Sequence, residues 1–365
     1  MAPLRIGIMG TAHIAGKNRR GMVAGGLHVS AIASRDIVKA TAWADEAVAC
    51  GDLPNRPIPY GSYDALLASP EIDAVYIPLP CGLHIQWVIA AAAAGKHILV
   101  EKPAAASVTE LEEMVAACRA ANVCILDGTM FHHHPRNQRM AEIFRDTTTF
   151  GPVGRVTSGF SFRGDDEFLK NNIRTSQALE RFGALGDLGQ YCIRFGLWVY
   201  SWELPSSVRA IAHVLNQDHV PMDLSATFTY EKGGPDNGPR TILIDNAFTL
   251  AFRQWAEIIG TQSRLRLEDF TIPTSHTQAT FLVTRNPNLD ASHSNCLAEE
   301  ERVDCPSNQE AEMWKAFAAH IEKGNGFSDE WASWTLKVQA CLDAAMESMQ
   351  SDGAKVQIIM PASLK

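Results

Sequence analysis

The feature that most restricts how this chain can fold lies in its first 127 residues, where short apolar runs alternate with stretches of helical periodicity. The runs Leu4–Met9, His28–Ser34, Asp73–Ile77, Lys96–Glu101 and Val123–Asp127 are apolar nearly throughout. A strand with one wet face would alternate apolar and polar residues, so these strands are expected to be covered by helices on both faces, as in a doubly wound parallel sheet. Beyond about residue 128 the rhythm changes to longer strand-like runs, Arg155–Phe162, Val208–Leu215, Leu224–Tyr230, Thr241–Phe248 and Gln254–Ile259, with few helices between them. Helical patterns at Gln309–Lys323 and Ser328–Met349 precede a last strand candidate, Lys355–Met360. With 365 residues to distribute, the expectation is two domains: α/β over residues 1–127, and α+β with a large, mostly antiparallel open sheet over 128–365.

The first strand leads into Gly10-Thr11-Ala12-His13-Ile14-Ala15, which places Gly10, Ala12 and Ala15 on a G-x-G-x-x-G/A dinucleotide fingerprint, and a Rossmann domain is expected. Alanine replaces the middle glycine, which adds one methyl group where backbone approaches a pyrophosphate. Gly10, Thr11, Ala12, His13 and Ile14 are the expected cradle. The second strand ends in Ser34-Arg35 rather than in an acid. A guanidinium and a hydroxyl suit a 2′-phosphate, so NADP is expected over NAD, and Asp36 reads as the N-cap of a helix over Ile37–Val48. Ser107 and Glu110 have capping-box spacing, which puts Glu101-Lys102-Pro103 at the end of a strand, where open α/β sheets hold ligands.

The formal net charge of −9 argues against a nucleic-acid partner, and no run approaches the ~20 apolar residues needed to cross a bilayer. Met1-Ala2-Pro3 leads directly into the first strand, so no targeting signal is expected. Eight cysteines, at 50, 81, 118, 124, 192, 296, 305 and 341, form no C-x-x-C pair and read as small core residues of a soluble cytoplasmic protein.

Three further stretches carry a resemblance: Ala74-Val75-Tyr76-Ile77-Pro78-Leu79-Pro80 with Leu83-His84, then Ala94 to Pro103 with its Glu101-Lys102-Pro103, and Gly183-Ala184-Leu185-Gly186-Asp187-Leu188-Gly189-Gln190-Tyr191. With Phe160-Ser161-Phe162 and Asn172-Ile173-Arg174 they resemble the glucose-fructose oxidoreductase/inositol dehydrogenase (Gfo/Idh/MocA) family, in order and spacing, over nearly the whole chain. The branch it resembles holds NADP-dependent D-xylose dehydrogenases and dimeric dihydrodiol dehydrogenases. The resemblance implies hydride transfer between NADP and a sugar-like substrate. It implies catalytic roles for Lys102, Asp187 and Tyr191, with Tyr191 as acid/base, Lys102 tuning it and binding the reacting oxygen, and Asp187 accepting a substrate hydroxyl.

Pro78, Leu79, Pro80, His84, Glu101 and Lys102 are then expected at the cofactor, and His134 and Arg174 at the substrate, beside Lys102, Asp187 and Tyr191. Cys81 stands where the family often has asparagine. Singly these residues have bland readings: a strand-end surface lysine, a helix cap, a half-buried tyrosine, a helix-start histidine. Together they form a constellation. Asp187 and Tyr191 are expected on one face of an α-helix over Asp187–Val199. The run His132-His133-His134 is expected to be extended and to bind no metal. Alternatives of the same family are trans-dihydrodiol dehydrogenase, carbonyl or deoxysugar reductase, and NAD-assisted glycoside cleavage. The alternative of another class is a non-catalytic NADP-binding sensor. A homodimer through the open face of the second sheet is also expected.

Overall fold

The computed structural model describes residues 3–285 and 298–365. The chain divides into two compact units, Met1–His134 with Ser307–Leu336, and Pro135–Pro306 with Lys337–Lys365.

In the first unit, β1 (Arg5–Met9), α1 (His13–Ala24), β2 (His28–Ala33), α2 (Ile37–Ala49), β3 (Ile58–Tyr60) and α3 (Tyr63–Leu67) form one half. β4 (Ala74–Ile77), α4 (His84–Ala93), β5 (His97–Val100), α5 (Val108–Ala120) and β6 (Ile125–Asp127) form the other. All pairs are parallel and the order is β3-β2-β1-β4-β5-β6. The order reverses at β1 and β4, which leaves a crevice beyond their carboxyl ends, between the turns Gly10–Ile14 and Pro78–Pro80. The five strands expected are present, and Asp36 and Ser107 cap their helices by accepting from Val38 N and Glu110 N. β3 was not anticipated: it is three residues long, contains Pro59, and lies at the sheet edge where a missing N–H is tolerated.

The second unit contains α6 (Arg136–Phe144), β7 (Val153–Arg163), α7 (Asp166–Asn171), α8 (Gln177–Glu180), a π turn (Leu185–Gly189) and α9 (Gln190–Val199). There follow β8 (Ser207–Leu215), β9 (Pro221–Tyr230), β10 (Arg240–Ala247), β11 (Thr249–Gly260), β12 (Ser263–Leu267), β13 (Gln278–Arg285) and β14 (Ala298–Asp304). The chain ends with α10 (Gln309–Glu322), α11 (Asp329–Gln350) and β15 (Val356–Gln357). The strands form one sheet in the order β14-β13-β12-β11-β7-β10-β9-β8-β15, antiparallel except for β7 with β10. A single register row, Val208, Phe228, Ile242, Val156, Ile258, Leu265 and Val283, is buried across it. The wholly buried α9 packs on that side, against β7 and β10. On the other face Ile211 and Leu282 are exposed and Leu243, Trp255 and Ile259 half-exposed.

Three expectations are corrected. Strands β12 to β14 lie beyond those anticipated: arginines in β12 and glutamates in β14 mask the apolar alternation, while β13 alternates buried Ala279, Phe281 and Val283 with exposed Gln278, Thr280 and Leu282. The last strand shrinks from Lys355–Met360 to Val356–Gln357 at the sheet edge. The segment Ser307–Leu336, assigned to the second domain from sequence, belongs to the first unit. There Trp314 is fully buried, meets the Tyr76 ring edge-on at 5.5 Å and donates from Nε1 to Asn18 Oδ1 at 3.0 Å. Of the cysteines, Cys81, Cys118, Cys124, Cys192, Cys305 and Cys341 are buried, Cys50 is exposed, none of these seven forms a disulfide, and Cys296 lies outside the described residues. Among the described residues no helix is long and apolar enough to cross a membrane.

Candidate active site

Gly10 opens the cradle with φ of +105°, a backbone conformation strained for any side chain, and donates its N–H to Ala33 O at 2.8 Å. Helix α1 then starts at His13 with Ala12 at the N-cap and no side chain capping it, so the amides of its first two residues are available to a ligand, while Ala15 N donates to Ala12 O at 2.9 Å. The exposed Arg35 and the buried Ser34 stand at the end of β2, and no carboxylate among the described residues engages the Arg35 guanidinium. Tyr63 Oη is 3.5 Å from where a Gly10 Cβ would lie, and its hydroxyl is pushed up by burial against the opposing pull of Arg35. Sequence reasoning missed Tyr63, because nothing local marks a helix-start tyrosine as part of a cradle. This set fits NADP: uncapped amides for a pyrophosphate, an unclaimed guanidinium for a 2′-phosphate.

Glu101 and Lys102 directly follow β5, and both are half-buried. Glu101 Oε2 accepts from Lys102 N at 3.2 Å and Oε1 from Tyr76 Oη at 2.5 Å. Burial raises the carboxyl above the usual range, while those two donors and the Lys102 charge oppose it. Pro78 to Pro80 follow β4 on the adjacent loop. His84, expected to line the nicotinamide pocket, has no exposed surface. Its Nε2 lies 2.7 Å from Leu79 O and its Nδ1 3.0 Å from Ala104 O, and burial lowers its pKa. It acts from beneath, tying the loop after β4 to the loop that carries Lys102.

In the second unit Gly183 has φ of +50°, and a Cβ there would lie 2.3 Å from Pro221 O, so the turn into the Asp187 segment accepts no side chain. The expected α-helix over Asp187–Val199 is corrected: Leu185–Gly189 is a π turn and the α-helix begins at Gln190. The i,i+4 argument therefore fails as stated, since a π turn closes i to i+5, a form that recurs at functional sites. Asp187 and Tyr191 nevertheless converge on Arg174. Arg174 Nε lies 3.0 Å from Asp187 Oδ1, and the guanidinium is held above its ordinary value first by Asp187, against burial, with Glu180 and Tyr191 adding to it. Asn172 Oδ1 fixes Arg174 by accepting from its backbone N at 3.1 Å. Tyr191 is buried, with Phe160 6.0 Å away between ring centroids.

His134 is buried, and its N–H closes on Phe131 O at 3.2 Å. The histidine run is not extended: Met130–His133 is a 3-10 turn, and His132 packs edge-on to Trp334 at 4.6 Å.

A reversing parallel sheet with an uncapped glycine turn, joined in one chain to a domain in which a buried tyrosine lies beside a half-exposed Arg–Asp pair, defines a dinucleotide-dependent oxidoreductase. Residues 4–129 match the oxidoreductase family with an NAD-binding Rossmann fold. The chain is 32% identical to D-xylose 1-dehydrogenase (NADP(+)) 2 of Haloferax volcanii, over 97% of this chain and all of that one. It is 31% identical to dTDP-3,4-didehydro-2,6-dideoxy-alpha-D-glucose 3-reductase of Streptomyces violaceoruber, over 94% and 95%. Among solved structures, a 3-ketoreductase from Actinomadura kijaniata in complex with NADP and TDP-benzene is 26% identical, with a TM-score of 0.79 over 95% of this chain and 98% of that one. The chain belongs to the Gfo/Idh/MocA oxidoreductase family.

Proposed function

We propose that this chain is an NADP-dependent dehydrogenase that oxidises a hydroxyl carbon of a free sugar or related polyol, or reduces the corresponding carbonyl, in the manner of a D-xylose 1-dehydrogenase. The observation that carries the choice of substrate is the Arg174–Asp187 pair: the Arg174 cation beside Tyr191 in the second unit is already engaged by a carboxylate at 3.0 Å. A nucleotide diphosphate would need an uncompensated cation, whereas a neutral polyol needs the mixed acceptors and donors that this group presents. The reductase relatives keep the deoxysugar reading as the second candidate.

Bound NADP supplies the hydride donor or acceptor at nicotinamide C4. Gly10, Thr11, Ala12, His13 and Ile14 would hold the pyrophosphate and Ser34 and Arg35 the 2′-phosphate, with Pro78, Leu79, Pro80 and Glu101 alongside. Tyr191 takes or gives the hydroxyl proton, and Lys102 steadies the same oxygen and favours the phenolate. Asp187 and Arg174 orient the remaining hydroxyls, and His134 supports the loop before them.

A panel of aldoses, polyols, dihydrodiols and dTDP-sugars, followed by NADPH absorbance, tests this. Aldoses are expected to turn over best, and preference for a dTDP-sugar overturns the reading. No turnover at all favours the sensor alternative. In the same assay Arg35→Ala is expected to weaken NADP roughly 10- to 100-fold while NAD is little changed, since one charge-assisted contact is lost. Equal losses would remove Arg35 from the 2′-phosphate.

We place the protein in the cytoplasm on the seven described cysteines that form no disulfide and assign a homodimer to the open face of the second sheet, where Ile211 and Leu282 lie exposed. Light scattering at low concentration should give about twice the 39.9 kDa of one chain, and the single-chain mass sets the dimer aside.

A further inference from the structure

Behind Glu101 runs a buried hydrogen-bond chain whose direction is fixed from its far end. Indole Nε1–H can only donate, and Trp314 gives it to Asn18 Oδ1 at 3.0 Å. That orients the Asn18 amide, so Nδ2 donates to Tyr76 Oη at 2.9 Å and reaches Ile14 O, in the first turn of α1, at 3.4 Å. With its oxygen receiving that bond, Tyr76 sends its own proton to Glu101 Oε1 at 2.5 Å. Asn18, Tyr76 and Trp314 are all buried. On the opposite side Gly128 lies flat against the carboxyl: a Cβ there would come within 3.1 Å of Glu101 Cδ, Oε1 and Oε2. The hydrogen bonds from Tyr76 Oη and Lys102 N thus both present Glu101 with donors, and Gly128 packs against the carboxyl from another side.

We infer that Tyr76, oriented by Asn18 and Trp314, is a positioning residue that keeps Glu101 a carboxylate and, through it, holds Lys102 in place. The titratable and charged groups facing that carboxyl are Tyr76 from β4, Lys102 on its own loop and Asp127 at the end of β6. Burial and Asp127 favour the protonated acid, and the Tyr76 donor and Lys102 oppose them. Protonation would remove the negative charge beside Lys102 and release the attraction that steadies its side chain. The inference rests on the proposed role of Lys102.

The test follows Glu101 directly and through turnover. Glu101 protonation is read by infrared difference spectroscopy, with Glu101→Gln as the blank, and the acid limb of kcat against pH is measured with NADP saturating. In Tyr76→Phe both are expected to move upward by roughly one pH unit, as for the loss of one charge-assisted hydrogen bond, with KM for NADP little changed. Trp314→Phe should move both the same way by less. A residue that merely packs the core would lower Tm and move neither. An unmoved infrared titration in Tyr76→Phe overturns the relay. A moved titration with an unmoved kinetic limb overturns its reach to Lys102. If Lys102→Met turns over normally, it is the proposed function of Lys102 that fails, not the relay seen in the infrared.

Discussion

Tyr191→Phe is expected to fold and to bind NADP as the native chain does, while turnover falls by roughly 10²–10⁴-fold, the range for losing a general acid/base. The variant removes one oxygen and leaves the ring in its pocket beside Phe160. Lys102→Met should act on the same step, and the double variant should be scarcely slower than the slower single one, because losses within one catalytic unit do not add. Stopped-flow measurement of the hydride step checks this, and fully multiplicative losses would show two independent contributions. The structure adds Arg174 to the comparison, since its cation acts on Tyr191 within the second unit. A Tyr191→Phe enzyme with near-native turnover would take the phenol out of the mechanism.

The largest expected effect on stability comes from Arg136→Met. Arg136 is fully buried, donating from Nη1 to Asp269 Oδ1 and from Nη2 to Asp269 O, both at 2.6 Å. Removing the guanidinium strands a buried carboxylate held only by Thr274 N and Oγ1, for which a loss of about 3–5 kcal/mol is expected. The sign of the pH dependence follows from Asp269: burial pushes its carboxyl up, but Arg136 and the Thr274 bonds outweigh burial and lower it. A lowered folded-state pKa contributes stability above the unfolded Asp value, near 3.9, that is lost as pH falls through the folded value. Without Arg136 the carboxyl rises, so protonation relieves the variant while the native chain weakens, and the deficit should narrow in acid. Calorimetry from neutral pH to pH 3 measures it. A deficit that is constant, or below about 1 kcal/mol, would mean the pair is dispensable, and Arg136→Met with Asp269→Asn should recover part of the loss.

What was legible from sequence followed from local signals. Apolar strands, the capping residues Asp36 and Ser107 and the Gly10 turn each announce themselves within a few positions, and the doubly wound parallel character of the first sheet came with the alternation. The edge strands β3 and β14 did not, because β3 is brief and broken by Pro59 and β14 reads Ala-Glu-Glu-Glu-Arg-Val-Asp, composition more typical of a loop. At the site, Lys102, Asp187 and Tyr191 stood out as a set through family motifs, but the π turn ahead of α9 leaves no compositional trace. His84 read equally as a helix start and as a pocket residue, and only its two carbonyl neighbours, from Leu79 and Ala104, decide between them. The buried chain behind Glu101 was out of reach altogether: its members Asn18 and Trp314 are 296 positions apart, and nothing in either neighbourhood encodes the other.

That separation governs how the protein is made. The core of the first unit includes Ile6, Ile8, Met22 and Tyr76 from the early chain and Met313, Trp314 and Phe317 from the late one. A ribosome adding about 5–20 residues per second emits the stretch up to His134 and then needs roughly 10–40 s more to reach Leu336, so the nascent cofactor unit waits with one flank of its core uncovered. Throughout that interval Met22 and Tyr76 lack the aromatic cover of Trp314, and the sequence between must fold while its predecessor is still unfinished. Birth order and folding order are thereby uncoupled: the part of the enzyme that is synthesised first is among the last to be completed.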